Sequence, residues 1–344
     1  MIDTTPAPIS SIAKSYNVHP GKLTRYYKDF LSDFHDWAKT TDTNALVFPQ
    51  NFGARMSIDE TCLSDGELYT ILTNKDAKGR KGCLAAIIKG TKQQTITKAL
   101  GKVPVTQRFA VREITLDMAD TMDWITRVNF PNAVAVVDRF HVQKEVMDAV
   151  QEIRIRHRHA AIANDNAAVM TAKKERGTYT PKRYANGDTQ KELLARSRYL
   201  LFQTPNRWRE SQQVRAAILF REFPDIETAY KLALEFRGLY ETRDTPERMR
   251  TKFKQWYEKV SRSELKELCA AACTVERHEG RILNYFKNRA TNASAESFNA
   301  KLKGFRSLLR GVSDTKFSVP CNQAVCLILE SPTRLNVIRF PFCH

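Results

Sequence analysis

Residues 54–89 read ARMSIDETCLSDGELYTILTNKDAKGRKGCLAAIIK. Three strand-like runs, Ala54–Leu63, Glu67–Thr73 and Cys83–Lys89, are separated by two stretches of turn-forming residues. Ser64, Asp65 and Gly66 make the first turn, and the polar segment Asn74–Gly82 makes the second. Apolar runs of strand length, bounded by Gly, Asp and Asn, predict a three-stranded meander. Asp59 lies near the end of the first run.

Downstream the pattern alternates. Thr91–Leu100 has helical periodicity and is closed by Gly101 and Pro104. Val111–Leu116 reads as a fourth strand and delivers Asp117 at its end. Ala119–Val128 is a helix, and Ala133–Val137 is a fifth strand ending in Asp138, Arg139, Phe140 and His141. The order β-β-β-α-β-α-β, with acids on the first and fourth strands, is that of an α/β, ribonuclease-H-like core. In that fold those two strands are neighbours. Asp59 and Asp117 would then sit side by side at one end of the sheet.

Beyond the core, Val142–Glu175 is a long helical stretch rich in Arg and His, and Gly177–Asp188 interrupts it. Residues 190–286 continue as helices, with turns near Pro205, Pro224 and Pro246. Arg196, Arg198, Arg207, Arg209, Arg221 and Trp208 give this part a basic, partly aromatic face. Then comes Thr291–Gly311, TNASAESFNAKLKGFRSLLRG. It sets Glu296 on an expected helix, flanked by Asn292 and Asn299 and followed by Lys301, Lys303, Arg306 and Arg310. A lone acid ahead of a basic helical run suits a metal ligand followed by a phosphate-binding surface.

Upstream, residues 9–40 predict two helices joined by a turn over Asn17–Gly21. Leu23, Tyr26, Tyr27, Phe30 and Leu31 form the apolar face of the second helix. Lys22, Thr24, Arg25 and Lys28 lie on its other side, which is the pattern of a helix-turn-helix entering the DNA major groove. The expected organisation is a helix-turn-helix module over 1–40, a linker over 41–53, and a first core part over 54–142. An all-helical insertion (143–286), a Glu-bearing core helix (287–318) and a tail of no clear periodicity (319–344) follow.

The formal net charge of +17 and pI of about 9.6 favour a polyanionic partner, most simply nucleic acid. No run of about 18 apolar residues suggests a membrane span. MIDTTPAPISS lacks the charged and apolar regions of a signal peptide. Seven cysteines without a Cys-x-x-Cys argue against a disulfide framework. Cys269, Cys273 and His278 offer no fourth zinc ligand, and the two cysteines are expected to be buried on a helix.

Cleaving a phosphodiester requires a nucleophile in line, charge neutralisation and a stabilised leaving oxygen. Two divalent ions about 4 Å apart supply all three. Mg²⁺ (or Mn²⁺) keeps several waters and needs only a few carboxylates. Asp59, Asp117 and Glu296 are a chemically sufficient set, with Asp59 between two ions and the others holding one each.

SIDET (57–61), ITLDMADT (114–121), FPNAVAVVDRFHV (130–142) and TNASAESFNAKLKGFRSLLRG follow one another in this order. Together they resemble the bacterial insertion-sequence transposases of the DDE class, ISL-three family, over residues 55–315. The resemblance implies a ribonuclease-H-like fold with a helical insertion, divalent metal, and cut-and-paste transposition of DNA. It makes Asp59, Asp117 and Glu296 the triad. Asp138 competes for the second place. Because Asp138-x-x-His141 resembles a motif that follows the second catalytic Asp in Mutator-like transposases, Asp138 and His141 are read as a supporting pair, with Asn292 and Asn299. Expected partners are double-stranded DNA, both terminal repeats and target, and further copies of the chain, in the bacterial cytoplasm and nucleoid. Family members usually begin with a cysteine-rich zinc module, which is not seen here, and the tail departs from the expected helical continuation. A related metal-dependent nuclease, or a decayed non-catalytic DNA-binding relative, are the alternative readings.

Overall fold

A computed structural model describes residues 9–31, 42, 44–64, 66–80, 82–289 and 298–300. The chain forms two compact units, 1–136 with 290–344, and 137–289.

The first unit is built on a six-stranded sheet. Its strands are β1 (Ala45–Val47), β2 (Arg55–Ser64), β3 (Glu67–Asn74), β4 (Leu84–Lys89), β5 (Glu113–Leu116) and β6 (Val134–Val137). Across the sheet they run β1-β4-β3-β2-β5-β6. β2, β3 and β4 are the expected antiparallel meander. β5 joins β2 in parallel, with Arg55 opposite Glu113, Met56 opposite Ile114 and Ser57 opposite Thr115. The first and fourth strands of the sequence reading are therefore neighbours. That reading took 41–53 as a linker, and here the structure differs. Ala45–Val47 is an antiparallel edge strand on β4, with Leu46 buried opposite Ile87. A three-residue strand is too short to show a period, which is why it read as a connection.

Side-chain alternation gives the sheet two different faces. Met56, Ile58, Leu72, Ala86, Ile88, Ile114 and Leu116 share one, and all are nearly or wholly buried. Helices α3 (Gln93–Leu100) and α5 (Asp120–Asn129) pack on each other and touch β4 and β5 respectively. Their Ile96, Leu100, Met122 and Ile125 are also fully buried. The helix α4 (Val105–Ala110), one turn and a half that the sequence reading omitted, leads into β5. The other face carries Ser57, Asp59 and Thr61, with Ile71 and Thr73 across from them on β3. There Phe298 packs with Tyr69, Ile71, Cys83, Leu84 and Ile87.

The N-terminal segment of this unit forms α1 (Ile9–Ser15) and α2 (Pro20–Tyr26), continued by one π-helical turn over Tyr27–Leu31. Asn17 turns the chain between them with φ +51°, and Asn tolerates that left-handed conformation better than most residues. Ile9, Ile12, Ala13 and Tyr27 are buried. The remaining apolar face expected on the second helix is not: Tyr26, Phe30 and Leu31 are all at least half exposed, and Leu23 is half-buried. So short a helix pair has little surface to bury them against.

The second unit is helical. Its spine is α6 (Arg139–Lys174), 36 residues and about 54 Å long at 1.5 Å per residue. Around it lie α7 (Gln190–Arg196), α8 (Glu210–Glu222), α9 (Pro224–Leu239), α10 (Pro246–Ser263) and α11 (Lys266–Arg277), then two short helices, Glu279–Leu283 and Tyr285–Asn288. α7, α9 and α11 pack on α6. Phe236, Tyr240, Phe253, Trp256, Tyr285 and Phe286 form one aromatic cluster, with Phe236 and Trp256 ring centroids 4.5 Å apart. The Arg/His-rich stretch of α6 is used in packing. Buried Arg154 donates to the Leu194 carbonyl and to Gln151, and its pKa is lowered by burial and by Arg158 and Arg198. Arg156 pairs with Glu267 and Asp225. Cys273 is exposed and Cys269 half-buried, which corrects the expectation that both are buried. His278, at the end of α11, is buried against Arg281. No helix among the described residues is long and apolar enough to cross a membrane.

Candidate active site

β2 outlasts β5 by several residues, so the shorter strand ends beside the middle of the longer one. The β2–β5 register has a constant offset of 58, ending at Ser57 opposite Thr115. Continued by two residues, it brings Asp59 and Asp117 to the same level of adjacent parallel strands. Both residues are half-buried.

Backbone and side-chain donors fix each carboxylate. One Asp59 oxygen accepts the Glu60 backbone N–H at 2.8 Å. The other accepts the Asn299 side-chain amide at 2.6 Å. Asn299 is only 5% exposed, held down by its buried neighbour Phe298. Asp117 accepts the Ala119 N–H at 2.9 Å, a short turn that carries the chain from β5 into α5. A strand that ends in such a turn presents its last acid at the sheet edge rather than in a ladder.

Glu60 is a third acid here, and the sequence reading passed over it. Its pKa is raised by desolvation, and then by the negative charges of Asp117 and Asp59. The adjacent Asp-Glu pair in SIDET was the available signal, but alternation assigned Glu60 to the opposite face.

Below this level the same face of β5 is compensated. Lys75, from the turn after β3, donates to Glu113 at 3.1 Å and to Thr115 at 2.6 Å. The pair is about nine-tenths buried on both sides. Around Asp59 the buried hydroxyls of Ser57, Thr61 and Thr73 find no hydrogen-bond partner among the described residues. Successive rows on one face thus run from a closed ion pair, through hydroxyls, to like-charged carboxylates.

Asp138 follows β6, which β5 separates from β2. It is the N-cap residue of α6, is 2% exposed, and belongs to the helical unit. There its charge raises the pKa of Arg139, whose first cause is the Tyr285 hydroxyl, and contributes to the upward shift of the buried Tyr240 phenol, whose first cause is desolvation. His141 is half-buried one turn into α6, edge-on to Phe140. In the N-terminal helix pair, Lys22 and Arg25 are exposed and Lys28 is half-buried, while the Thr24 hydroxyl donates to the Pro20 carbonyl. Asn292, Glu296, Lys301, Lys303, Arg306 and Arg310 lie outside the described residues. Among the described residues no three His, Cys, Asp or Glu side chains are grouped closely enough to hold a metal ion by themselves.

The family pattern of the ISL3-type DDE transposases, described as Transposase, matches residues 56–318. No curated protein and no solved structure matches the chain.

Proposed function

This chain belongs to the ISL3-type DDE transposase family, and on that premise we propose that Asp59, Asp117 and Glu296 are the acids of a metal-dependent site that cleaves and rejoins DNA at the ends of an insertion sequence. The observation that carries this reading is the parallel β2–β5 register, whose continuation past Ser57 and Thr115 sets Asp59 level with Asp117, the residue that follows β5. The strand order and the parallel β2–β5 pair are what a ribonuclease-H-like core requires.

The donor set fits a hard divalent cation. It consists of carboxylate oxygens; the charges of Asp59 and Asp117 add, after desolvation, to the raised pKa of the neighbouring Glu60. Asp59 would hold two ions, with Asp117 and Glu296 holding one each. Mg²⁺ or Mn²⁺, when bound, supplies charge neutralisation at the phosphate and activation of the attacking oxygen. The chain's own part is positioning. Asn299 orients the Asp59 carboxylate, and the Ala119 N–H orients Asp117. Glu296 precedes Asn299 by three residues, so on the helix expected from the sequence both occupy one face. Lys301, Lys303, Arg306 and Arg310, expected from the sequence to follow on the same helix, would supply the phosphate-binding surface. Lys22, Thr24, Arg25 and Lys28 of the N-terminal pair form the helix-turn-helix surface for duplex DNA. Two element ends joined in one reaction call for more than one copy of the chain.

The test is a cleavage and strand-transfer assay on labelled DNA from the element's flanks, with Mg²⁺ or Mn²⁺. Wild-type protein should cut and join, and Asp59→Asn, Asp117→Asn and Glu296→Gln should do neither. Cutting without joining would replace this reading with that of a nuclease. Specific binding without cutting would replace it with that of a DNA-binding relative.

A further inference from the structure

The basic, aromatic segment of the helical unit resolves into two kinds of residue. Trp208, the aromatic that stands out in the sequence, faces inward. Its indole N–H donates to the Leu200 carbonyl at 3.0 Å, and its ring stacks on Tyr230 at 5.7 Å. Arg196 is committed to Asp188. By contrast Tyr199 is 68% exposed and Phe202 38% exposed. The two stand three residues apart on a short 3-10 turn, Leu200–Phe202, a spacing at which side chains eclipse.

This turn is anchored at several points. Leu200 and Leu201 are buried, the Ser197 hydroxyl donates to the Leu193 carbonyl, and the Tyr230 hydroxyl donates to the Gln203 carbonyl. The Trp208 anchor returns the chain to the turn, and with it the exposed Arg207 and Arg209 that flank the indole. The Arg198 guanidinium lies 5.3 Å from the centre of the Tyr199 ring. Between Glu192 and Glu210 the chain has four arginines and no acid.

We propose that the Tyr199 turn is a stacking platform for an unpaired DNA base, with Arg198, Arg207 and Arg209 on the neighbouring phosphates. A large aromatic side chain left in water on an anchored turn gains nothing for folding, but it suits a flat π-face. Bases of an intact duplex have no face to offer. A base at a broken or frayed strand end does, and strand cleavage produces such ends. Arginine beside the ring favours both the stacked base, through cation–π contact, and its phosphate. The inference rests on the DNA-cleaving reading above and adds to it a site for the non-duplex part of the substrate.

The experiment uses the full chain and three probes of one mixed sequence: a duplex, the same duplex with a short single-stranded 3′ flap, and the single strand. Each carries 2-aminopurine, in the flap where there is one. Affinity is read by anisotropy, and stacking by quenching of 2-aminopurine. Tyr199→Ala should weaken flap and single-strand binding roughly tenfold and abolish the quench, with less than about a twofold change on the duplex. Tyr199→Phe should behave as wild type. Tyr199→Leu, which keeps apolar bulk without a ring, should behave as Tyr199→Ala. Equal losses on duplex and flap, or no loss on either, would overturn the platform and leave the transposase reading in place. Wild-type protein that binds none of the three probes would overturn both.

Discussion

The sheet unit and the helical unit treat buried carboxylates in opposite ways. In the helical unit Asp188 is wholly buried and closed by Arg196 on one oxygen and Arg215 on the other. Desolvation pushes its pKa up, but the two guanidinium groups more than offset this, and the net shift is downward. At the sheet edge no such cation among the described residues offsets burial: desolvation, and then the charges of Asp117 and Asp59, shift the pKa of Glu60 upward. The sheet is able to pair charge, since Lys75 and Glu113 do so two rows away on the same strand. The difference teaches that the acid edge is not a by-product of composition in a chain with 55 Lys and Arg against 38 Asp and Glu. Where carboxylates serve the fold they receive cations. Where they crowd together, each charge disfavours the others, which is the arrangement the proposed metal-binding role calls for.

Four experiments sharpen or break this contrast. The largest effect falls on activity. Asp59→Asn or Asp117→Asn should lower strand cleavage roughly a thousandfold or more, about 4 kcal/mol of barrier, without lowering the thermal midpoint in metal-free buffer. Asp138→Asn should retain measurable cleavage, and an equal collapse in that variant with a working Asp117→Asn would reverse the two roles. Next in size is the paired acid. Asp188→Asn should cost about 3 kcal/mol in urea unfolding, because it strands two arginines against a buried amide. An unchanged midpoint there would remove one side of the contrast.

Metal binding comes third. Mg²⁺ at a hundredfold excess over its Kd should stabilise wild-type protein by about 2.7 kcal/mol and leave Asp59→Asn unmoved. Calorimetry that shows the same rise in both proteins would place the ion elsewhere. The smallest effect is that of Glu60→Gln. The folded state holds the Glu60 proton above the ordinary value of 4.5, so it binds more protons than the unfolded chain in the window just above that value. Wild-type stability therefore falls as pH rises through that window, and the charge-free variant should escape this loss. The gap, widening with pH, should stay within about 1 kcal/mol, since Glu60 is partly exposed and screened. A stability difference that shrinks with pH would show that Glu60 gains a cation rather than losing to its neighbours.

Hydrophobic period and turn chemistry by themselves determined the meander of β2, β3 and β4, helices α3 and α5 and strands β5 and β6 to within a few residues, Asp59 on the first meander strand and Asp117 at the end of β5, while the short helix α4 escaped them. Those signals are local, and each strand or helix carries its own. Sequence also determined the membership carried by the ordered motifs from SIDET onward. What only tertiary structure decided depends on partners distant in the chain. The edge strand Ala45–Val47 exists because β4 offers it an open ladder. The Asn299 amide meets Asp59 across 240 residues. Glu60 senses two acids that alternation would have turned away from it, because β5 ends beside it and releases Asp117 into a turn. Trp208 turns inward and Tyr199 outward because a carbonyl of the intervening turn takes the indole N–H. Composition marks both aromatics alike, and only packing shows which one remains in water.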